Sequence, residues 1–576
     1  MGAIFGLVGE GDLGAVRDMG SRMSHRGPDL QAWSPATGVY FGERGNASQD
    51  AAGDALAIDE RIYRVASTDT PDVSPRDHIR GIFASGDTSA LRYLRGPFSA
   101  AYWDEARREL CLAVDHVGYK SLYFCYLPGS VAFASEYKAF FALPDFQPEI
   151  DPVAIQYHQA SRIAMPWRPS LANVRMVRSG SVARFSNGEA KFEFYWAPRV
   201  NETKRSFDDA SRLVREQLLR SVAHQTKGDG HVGISLSGGL DSAIVAGCAR
   251  EVKTADQVSA WSVGFSEADP ELAGARQVAD HLGIRHNVTV FEPEDIRKFL
   301  PEMVWLMEDC TAREETLLHL KLFQSAGKTE SVMLHGVGAD LLFGGMPRHI
   351  LIAMSMRAPV LRSPLMALYQ LTQTGQPPQG LAAKALAWKA FRGHNFEPPA
   401  ISGAGAATKV VEPRDLNRYL GESAANMSSI HYTEPMAEQN GFAFRSPYLD
   451  PDAIDLSLTI PMPQKMGWAK QKLVLRHAFD SVLPPHITRR PKTIHRLKHD
   501  EFLSRALDDM AADAGGLEYI RRRRLVDEEY MTRLRARPAG QPYPTDQLYR
   551  LWTLVSLEIW LRQFADGGGN YWNFDS

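Results

Sequence analysis

The run HVGISLSGGLDSAIVAGCAREV (231–252) decides the fold of the second half of the chain. Its opening, HVGISLS (231–237), is a short apolar run that reads as a strand. The strand ends in Ser237-Gly238-Gly239-Leu240-Asp241-Ser242, and the apolar segment AIVAGCAREV follows, giving strand, glycine turn, helix. Two glycines let backbone N–H groups approach a ligand closely, and the turn opens a helix. With serine hydroxyls on both sides, such a turn is an anion cradle. It contains no lysine, which separates it from the Walker A loop.

Working outward, SAWSVGF (259–265) reads as a second strand, ELAGARQVADHLG (271–283) as a helix, HNVTVF (286–291) as a third strand and ESVMLHG (330–336) as a fourth. Strands alternating with helices predict a doubly wound parallel sheet, whose ligands bind at the carboxyl ends of the strands. The turn at 237–242 falls there, and so does a second glycine turn that closes the ESVMLHG strand. Residues 1–195 differ in character. Short runs such as AIFGLVG, FSAAYWD, ELCLAVD, SLYFCYL and SVAFAS, broken by Gly, Pro and Asp, predict packed β-sheet with few helices. A polar stretch, APRVNETKRS (197–206), reads as the linker, which divides the chain into domains 1–200 and 201–576. Residues 346–450 read as helical but interrupted at QTGQPPQG (373–380) and EPPAISGAGAAT (397–408). The C-terminal quarter reads as helical through DQLYRLWTLVSLEIWLRQF (546–564), with the tail ADGGGNYWNFDS expected to be loose at its glycines.

Composition narrows the function. The 576 residues carry 65 Lys and Arg against 68 Asp and Glu, a formal net charge of −3, which excludes a dedicated nucleic-acid or membrane-surface binder. A hydrophobic share of 44% with 23% charged residues excludes wholesale disorder. The four cysteines, Cys111, Cys125, Cys248 and Cys310, form no CxxC pair and are too few for a disulfide framework. No apolar run reaches the roughly 18 residues of a membrane span. The start, MGAIFGLVGEGD, has neither a basic leader nor a cleavage signature, and Gly6 stands where myristoylation wants Ser or Thr. A cytoplasmic protein without nucleic-acid or membrane partners is expected.

The turn at 237–242 resembles the pyrophosphate loop of the N-type ATP pyrophosphatases. The resemblance implies that Ser237, Gly238, Gly239, Leu240, Asp241 and Ser242 hold the pyrophosphate of ATP and that Asp241 holds Mg²⁺. The second turn, HGVGADLLFGG (335–345), resembles the SGEGSDEVFGG segment of asparagine synthetases. On that likeness Asp340 shares Mg²⁺ with Asp241, Gly336 lies against the nucleotide, and the backbone of Val263 reads adenine. SHRGPD (24–29), LRGPFSAAYWD (94–104), DHVGYKSLYF (115–124), FASEYKA (133–139), FRSPYLD (444–450) and KLVLRHAFDSVLPPHITRRPK (472–492) extend the likeness over most of the chain. It implies an N-terminal antiparallel αββα sandwich of the glutaminase (Ntn) kind, followed by a doubly wound ATP-pyrophosphatase domain with a helical C-terminal part. Lys472 falls on the lysine that holds pyrophosphate and stabilises the transition state, with Lys470 open as the alternative.

Two departures shape the expected chemistry. Val337 replaces the Glu of the family and the Tyr of its β-lactam-forming relatives, and valine takes no proton. Glutaminase domains attack glutamine with a cysteine at the position after Met1, where this chain has Gly2; the glutamine-binding NGEIYN pattern appears only as DERIYR (59–64). An inactive glutaminase half beside an intact ATP site implies that a carboxylate attacks ATP to give an acyl-adenylate, which a substrate amine then converts to an amide. The relatives that work this way are lasso peptide cyclases, β-lactam synthetases and carbapenam synthetases. Val337, the length between Gly345 and Phe444, and the C-terminal LYRLWTLVSLEIWLRQF favour the cyclase. That implies a precursor peptide as substrate, with a leader peptidase and a leader-binding protein as partners. Tyr369, Trp388, Lys389, Phe391 and Arg392 read either as peptide contacts or as plain helix-face residues, and the arginines at 521–524 as a solvated face. A β-lactam or carbapenam former, an ammonia-dependent synthetase and a non-catalytic ATP-fold scaffold stay open as alternatives.

Overall fold

Alternation along the first strand, Ala3–Gly9, sets the architecture of the N-terminal half. Ala3, Phe5 and Leu7 enter one core and Ile4 another. The computed structural model describes residues 2–45, 55–66, 74–374, 415–489 and 501–575, apart from positions 163, 164, 166, 187, 188, 293, 311, 426, 427, 469, 537 and 539. The first strand lies inside an antiparallel six-stranded sheet, between Ser130–Ala134 and Val39–Arg44. A second antiparallel sheet orders Glu189–Phe194, Ser181–Ser186, Glu109–Val114, Phe98–Asp104 and Ala55–Glu60. Between the sheets Ile4, Phe41, Phe124 and Phe133 meet Ala57, Trp103, Leu112 and Phe185. Helix Leu13–Ser21 brings Val16 and Met19 to the outer face of the first sheet, and helix Pro75–Ser85 brings Ile79, Ile82 and Phe83 to that of the second. The layers are therefore αββα, as the resemblance implies.

The second half is built on five parallel strands in the order Arg285–Val290, Val258–Gly264, Val232–Ser235, Val332–Leu334, Ala443–Arg445. The chain adds two strands to one side of Val232–Ser235 and then crosses to the other side for Val332–Leu334. This reversal is the topological switch point where ligands of such sheets bind. The fifth strand lies within the stretch read from sequence as interrupted helix. Three residues, set between Gly441 and Pro447, are too few for a periodicity to register.

One core spans both halves. Phe5 and Leu7 share it with Leu551, Trp552, Val555 and Trp560 of helix Thr545–Trp560, whose residues 551–560 are all buried. Trp560 Nε1 donates to the Tyr137 hydroxyl at 2.9 Å and to the Glu308 carbonyl at 3.1 Å. The tail is not loose. Trp572 and Phe574 pack on this core, and Arg22 Nη1 donates to the carbonyls of Gly568 and Gly569 at 3.0 and 2.9 Å. Two large aromatic rings outweigh the disorder that three glycines favour. The stretch 197–206 forms neither helix nor strand, but its Asn201 and Thr203 amides are tied to Leu458 and Thr459. Arg521, Arg522, Arg523 and Arg524 are exposed. All four cysteines are buried and unpaired, and among the described residues no helix is long and apolar enough to cross a membrane.

Candidate active site

The first glycine turn is closed by its own serines. Ser242 Oγ accepts from the Ser237 amide at 3.1 Å, lies 3.1 Å from Ser237 Oγ and donates to the Gly239 carbonyl at 3.3 Å. Gly238 has φ +68°, and a Cβ there would stand 2.5 Å from the Ala275 amide nitrogen. Only glycine fits both the turn and the helix behind it. Helix Leu240–Val252 starts at Gly239 with no side chain capping its first amides, which leaves its positive end directed at the turn.

The second turn presses on the first. A Cβ on Gly336 would stand 2.8 Å from the Ser242 amide nitrogen and 2.9 Å from the Asp241 carbonyl carbon. Between the turns lies an ion cluster. Lys472 Nζ is 2.6 and 2.5 Å from the two carboxylate oxygens of Asp241 and 2.5 Å from Asp340 Oδ1. Lys472 is only 4% exposed, yet its ammonium stands above the ordinary lysine range. Burial alone would pull it down; the facing carboxylates reverse that. Its backbone has φ +56°, a left-handed conformation uncommon for a side-chain-bearing residue and held here at the start of helix Leu473–Ala478. Lys470 is exposed, so the fold brings Lys472 and not Lys470 to the cluster.

Two carboxylates that share one cation can share another. A magnesium ion takes one or two carboxylates and completes its shell with phosphate and water oxygens, which suits Asp241 and Asp340. Among the described residues no group of three or more His, Cys, Asp or Glu is arranged to hold a metal by itself.

Several members of the site carry no sequence signal of their own. His335 is buried and stacked on Phe444 with ring centroids 3.8 Å apart, and burial holds its imidazole neutral. Its Nδ1 accepts from the Val337 amide at 3.3 Å, while Ser446 Oγ donates to the Val337 carbonyl at 2.5 Å. Val337 thus serves the turn through its backbone. Tyr448 lies in the FRSPYLD stretch, and its hydroxyl donates to the Asp241 carbonyl at 3.2 Å. Gly345 is required by proximity: a Cβ there would lie 1.7 Å from Asp340 Oδ1 and 2.3 Å from Lys472 Cε.

Val263 lies one strand away, near the end of Val258–Gly264, partly buried and outside the ion cluster. Tyr369 is buried against Tyr419, Met366 and Leu416, which makes it a core residue and not an exposed peptide contact. Trp388, Lys389, Phe391 and Arg392 lie outside the described residues. In the N-terminal half, a Cβ on Gly2 would stand 3.0 Å from both the Arg44 carbonyl and Asp59 Oδ1. Arg26 Nε donates to the Gly2 carbonyl at 3.1 Å, and Lys120 pairs with Asp59 at 3.1 Å. Cys111, the first cysteine of the chain, sits in a strand, and burial pushes its thiol up to about 12.

Residues 213–562 match the asparagine synthase family and residues 79–196 the glutamine amidotransferase domain. The chain is 24% identical to asparagine synthetase [glutamine-hydrolyzing] 1 of Bacillus subtilis, an alignment covering 95% of this chain and 93% of that protein. It is 28% identical to the carboxyethyl-arginine beta-lactam-synthase of Streptomyces clavuligerus, over 60% of this chain and 69% of the relative. Because the family model spans more than half of its length, the chain belongs to the asparagine synthase family.

Proposed function

We propose that this chain is an ATP-dependent carbon–nitrogen ligase that releases AMP and pyrophosphate and closes a macrolactam ring within a peptide. The observation that carries the reading is the Lys472–Asp241–Asp340 cluster between the two glycine turns, in a chain with glycine where a glutaminase has its nucleophile.

In this reading an Asp or Glu side chain of a leaderless precursor peptide attacks the α-phosphorus of ATP. The acyl-adenylate forms and pyrophosphate departs. The 237–242 turn and the first amides of helix Leu240–Val252 receive the departing charge. Asp241 and Asp340 would hold the Mg²⁺ ion, which supplies charge neutralisation at the phosphates. Lys472 is a point charge on a flexible stem, suited to leave the carboxylates and follow the pyrophosphate oxygens. Gly336 and Val263 would line the nucleotide. The peptide's N-terminal amine then attacks the adenylate, AMP leaves, and the ring closes with the tail threaded through it, as in a lasso peptide. Holding amine and acyl-adenylate in one molecule supplies much of the rate. Val337 has no proton acceptor and His335 already uses Nδ1 on the Val337 amide, so the amine's proton goes to another residue or to an acceptor on the substrate. A leader peptidase and a leader-binding protein would deliver the peptide.

The Streptomyces clavuligerus relative supports a second reading, in which a small β-amino acid closes on itself. One experiment separates them: the protein is incubated with ATP, Mg²⁺ and a candidate leaderless peptide, and the product is weighed. Loss of one water in step with AMP, absent in Asp241→Ala, supports the cyclase. AMP without cyclisation keeps the ligase and moves the substrate to β-amino acids or ammonium. No AMP with partner proteins present overturns the ligase reading in favour of a scaffold.

A further inference from the structure

The segment from Ser446 to Asp452 touches both glycine turns, and the N-terminal half grips the same segment. On the turn side, Ser446 Oγ donates to the Val337 carbonyl at 2.5 Å and the Tyr448 hydroxyl to the Asp241 carbonyl at 3.2 Å. On the other side, the Tyr119 hydroxyl accepts from the Ser446 amide at 2.8 Å. Arg95 donates to Asp452 at 2.6 and 3.0 Å, Arg64 pairs with the same carboxylate, and the Tyr63 hydroxyl reaches Asp450 at 3.4 Å. Just upstream, helix Ser428–Gln439 supplies Glu434 and Glu438. Arg26 lies 2.6 Å from Glu438, and Lys120 pairs with both carboxylates. Arg26, Lys120, Glu434 and Glu438 are all buried. Charges are taken out of water at such a cost only where each meets a partner, and here the partners come from opposite halves of the chain.

We propose that the N-terminal half positions the ATP site, and that Tyr119 is the positioning residue. Its hydroxyl fixes Ser446 through the amide, and Ser446 fixes the second turn through Val337. Two hydrogen bonds thus connect the domain that carries Gly2 to the loop that carries Asp340. Tyr119 is 8% exposed and Ser446 fully buried, so removing the hydroxyl leaves the Ser446 amide without its partner in a place water does not reach freely. The ATP part of this inference rests on the ligase reading; the coupling between the halves does not.

The test is hydrogen exchange over the whole chain, followed by mass spectrometry, in wild type, Tyr119→Phe and Tyr195→Phe. Tyr195 makes a comparable buried bond, to the Val114 carbonyl at 2.7 Å, inside the N-terminal half. Tyr119→Phe is expected to speed exchange across 335–345 by about tenfold, with the melting temperature close to wild type, while Tyr195→Phe leaves 335–345 unchanged. ATP–pyrophosphate exchange in Tyr119→Phe is expected to lose kcat with KM for ATP within about twofold, since the turn that moves carries Asp340. Unchanged exchange across 335–345 in Tyr119→Phe overturns the proposal. If that variant fails to fold, Ser446→Ala cuts the second link alone and gives the same reading. A wild type that makes no AMP refutes the ligase reading, and the hydrogen-exchange comparison still decides this one.

Discussion

Adding one methyl group at Gly345 tests the ion cluster more sharply than removing any of its charges. A Cβ at that position lies 1.7 Å from Asp340 Oδ1 and 2.3 Å from Lys472 Cε. Carbon and oxygen settle no closer than about 3.3 Å, so Gly345→Ala must drive the Asp340 carboxylate back by more than about 1 Å and the lysine stem with it. A displacement of that size at a reacting centre costs on the order of a hundredfold in rate. The overpacking itself costs about 1–3 kcal/mol of stability, too little to unfold a chain with so large a core. ATP–pyrophosphate exchange in Gly345→Ala is therefore expected to fall about a hundredfold while the protein still melts cooperatively. The assay is radiolabelled pyrophosphate incorporation at saturating ATP, alongside a thermal melt. Exchange within threefold of wild type, in a folded variant, would refute the claim that the Asp340–Lys472 geometry carries the chemistry.

The same geometry sets the other expected outcomes. A Cβ on Gly239 meets nothing nearer than Ser237 Oγ at 3.4 Å, so Gly239→Ala should fold and melt like wild type yet bind ATP more weakly, measured by calorimetry; unchanged affinity would place the phosphates elsewhere. Lys472→Met should lower kcat for AMP formation by about a hundredfold or more, against little effect from Lys470→Met, and equal losses in the two would remove the distinction. Burial holds the Lys465 ammonium down at about 7, so between about pH 7 and pH 10 the unfolded chain carries a proton that the native chain lacks. Stability gains from this group as pH rises through that window, and Lys465→Met should flatten the rise in a melting profile; an unaltered slope would assign it to other groups. Gly2→Cys should release no glutamate from glutamine, because Arg26, Arg44 and Asp59 already crowd the position; measurable glutaminase activity would show that the pocket survives.

The legible parts of this molecule are those that a few neighbouring residues determine. Strand, glycine turn and helix at 231–252 could be read because each depends on local chain chemistry, and the same holds for Asp340 in the second turn. The choice between Lys472 and Lys470 is not legible in the sequence, because both lie in one short basic stretch and only the folded chain brings Lys472 to the carboxylates and leaves Lys470 exposed. Strand Ala443–Arg445 is legible only from its parallel neighbour, more than a hundred residues upstream. Tyr369 is ambiguous in the sequence because an aromatic on a helix face reads alike whether it meets a ligand or another helix. The bond between Tyr119 and Ser446 joins residues 327 apart and leaves no trace in either neighbourhood.

The core that Phe5 and Leu7 share with Leu548, Leu551 and Trp560 ties the first strand to a helix more than five hundred residues away. The sandwich has a core of its own between its sheets, and helix Leu13–Ser21 lies on the outer face of its first sheet, but the larger core belongs to both halves. Loosening of helix Thr545–Trp560 is therefore expected to reach the packing around Phe5 and Leu7, so that the two halves melt together and not one after the other.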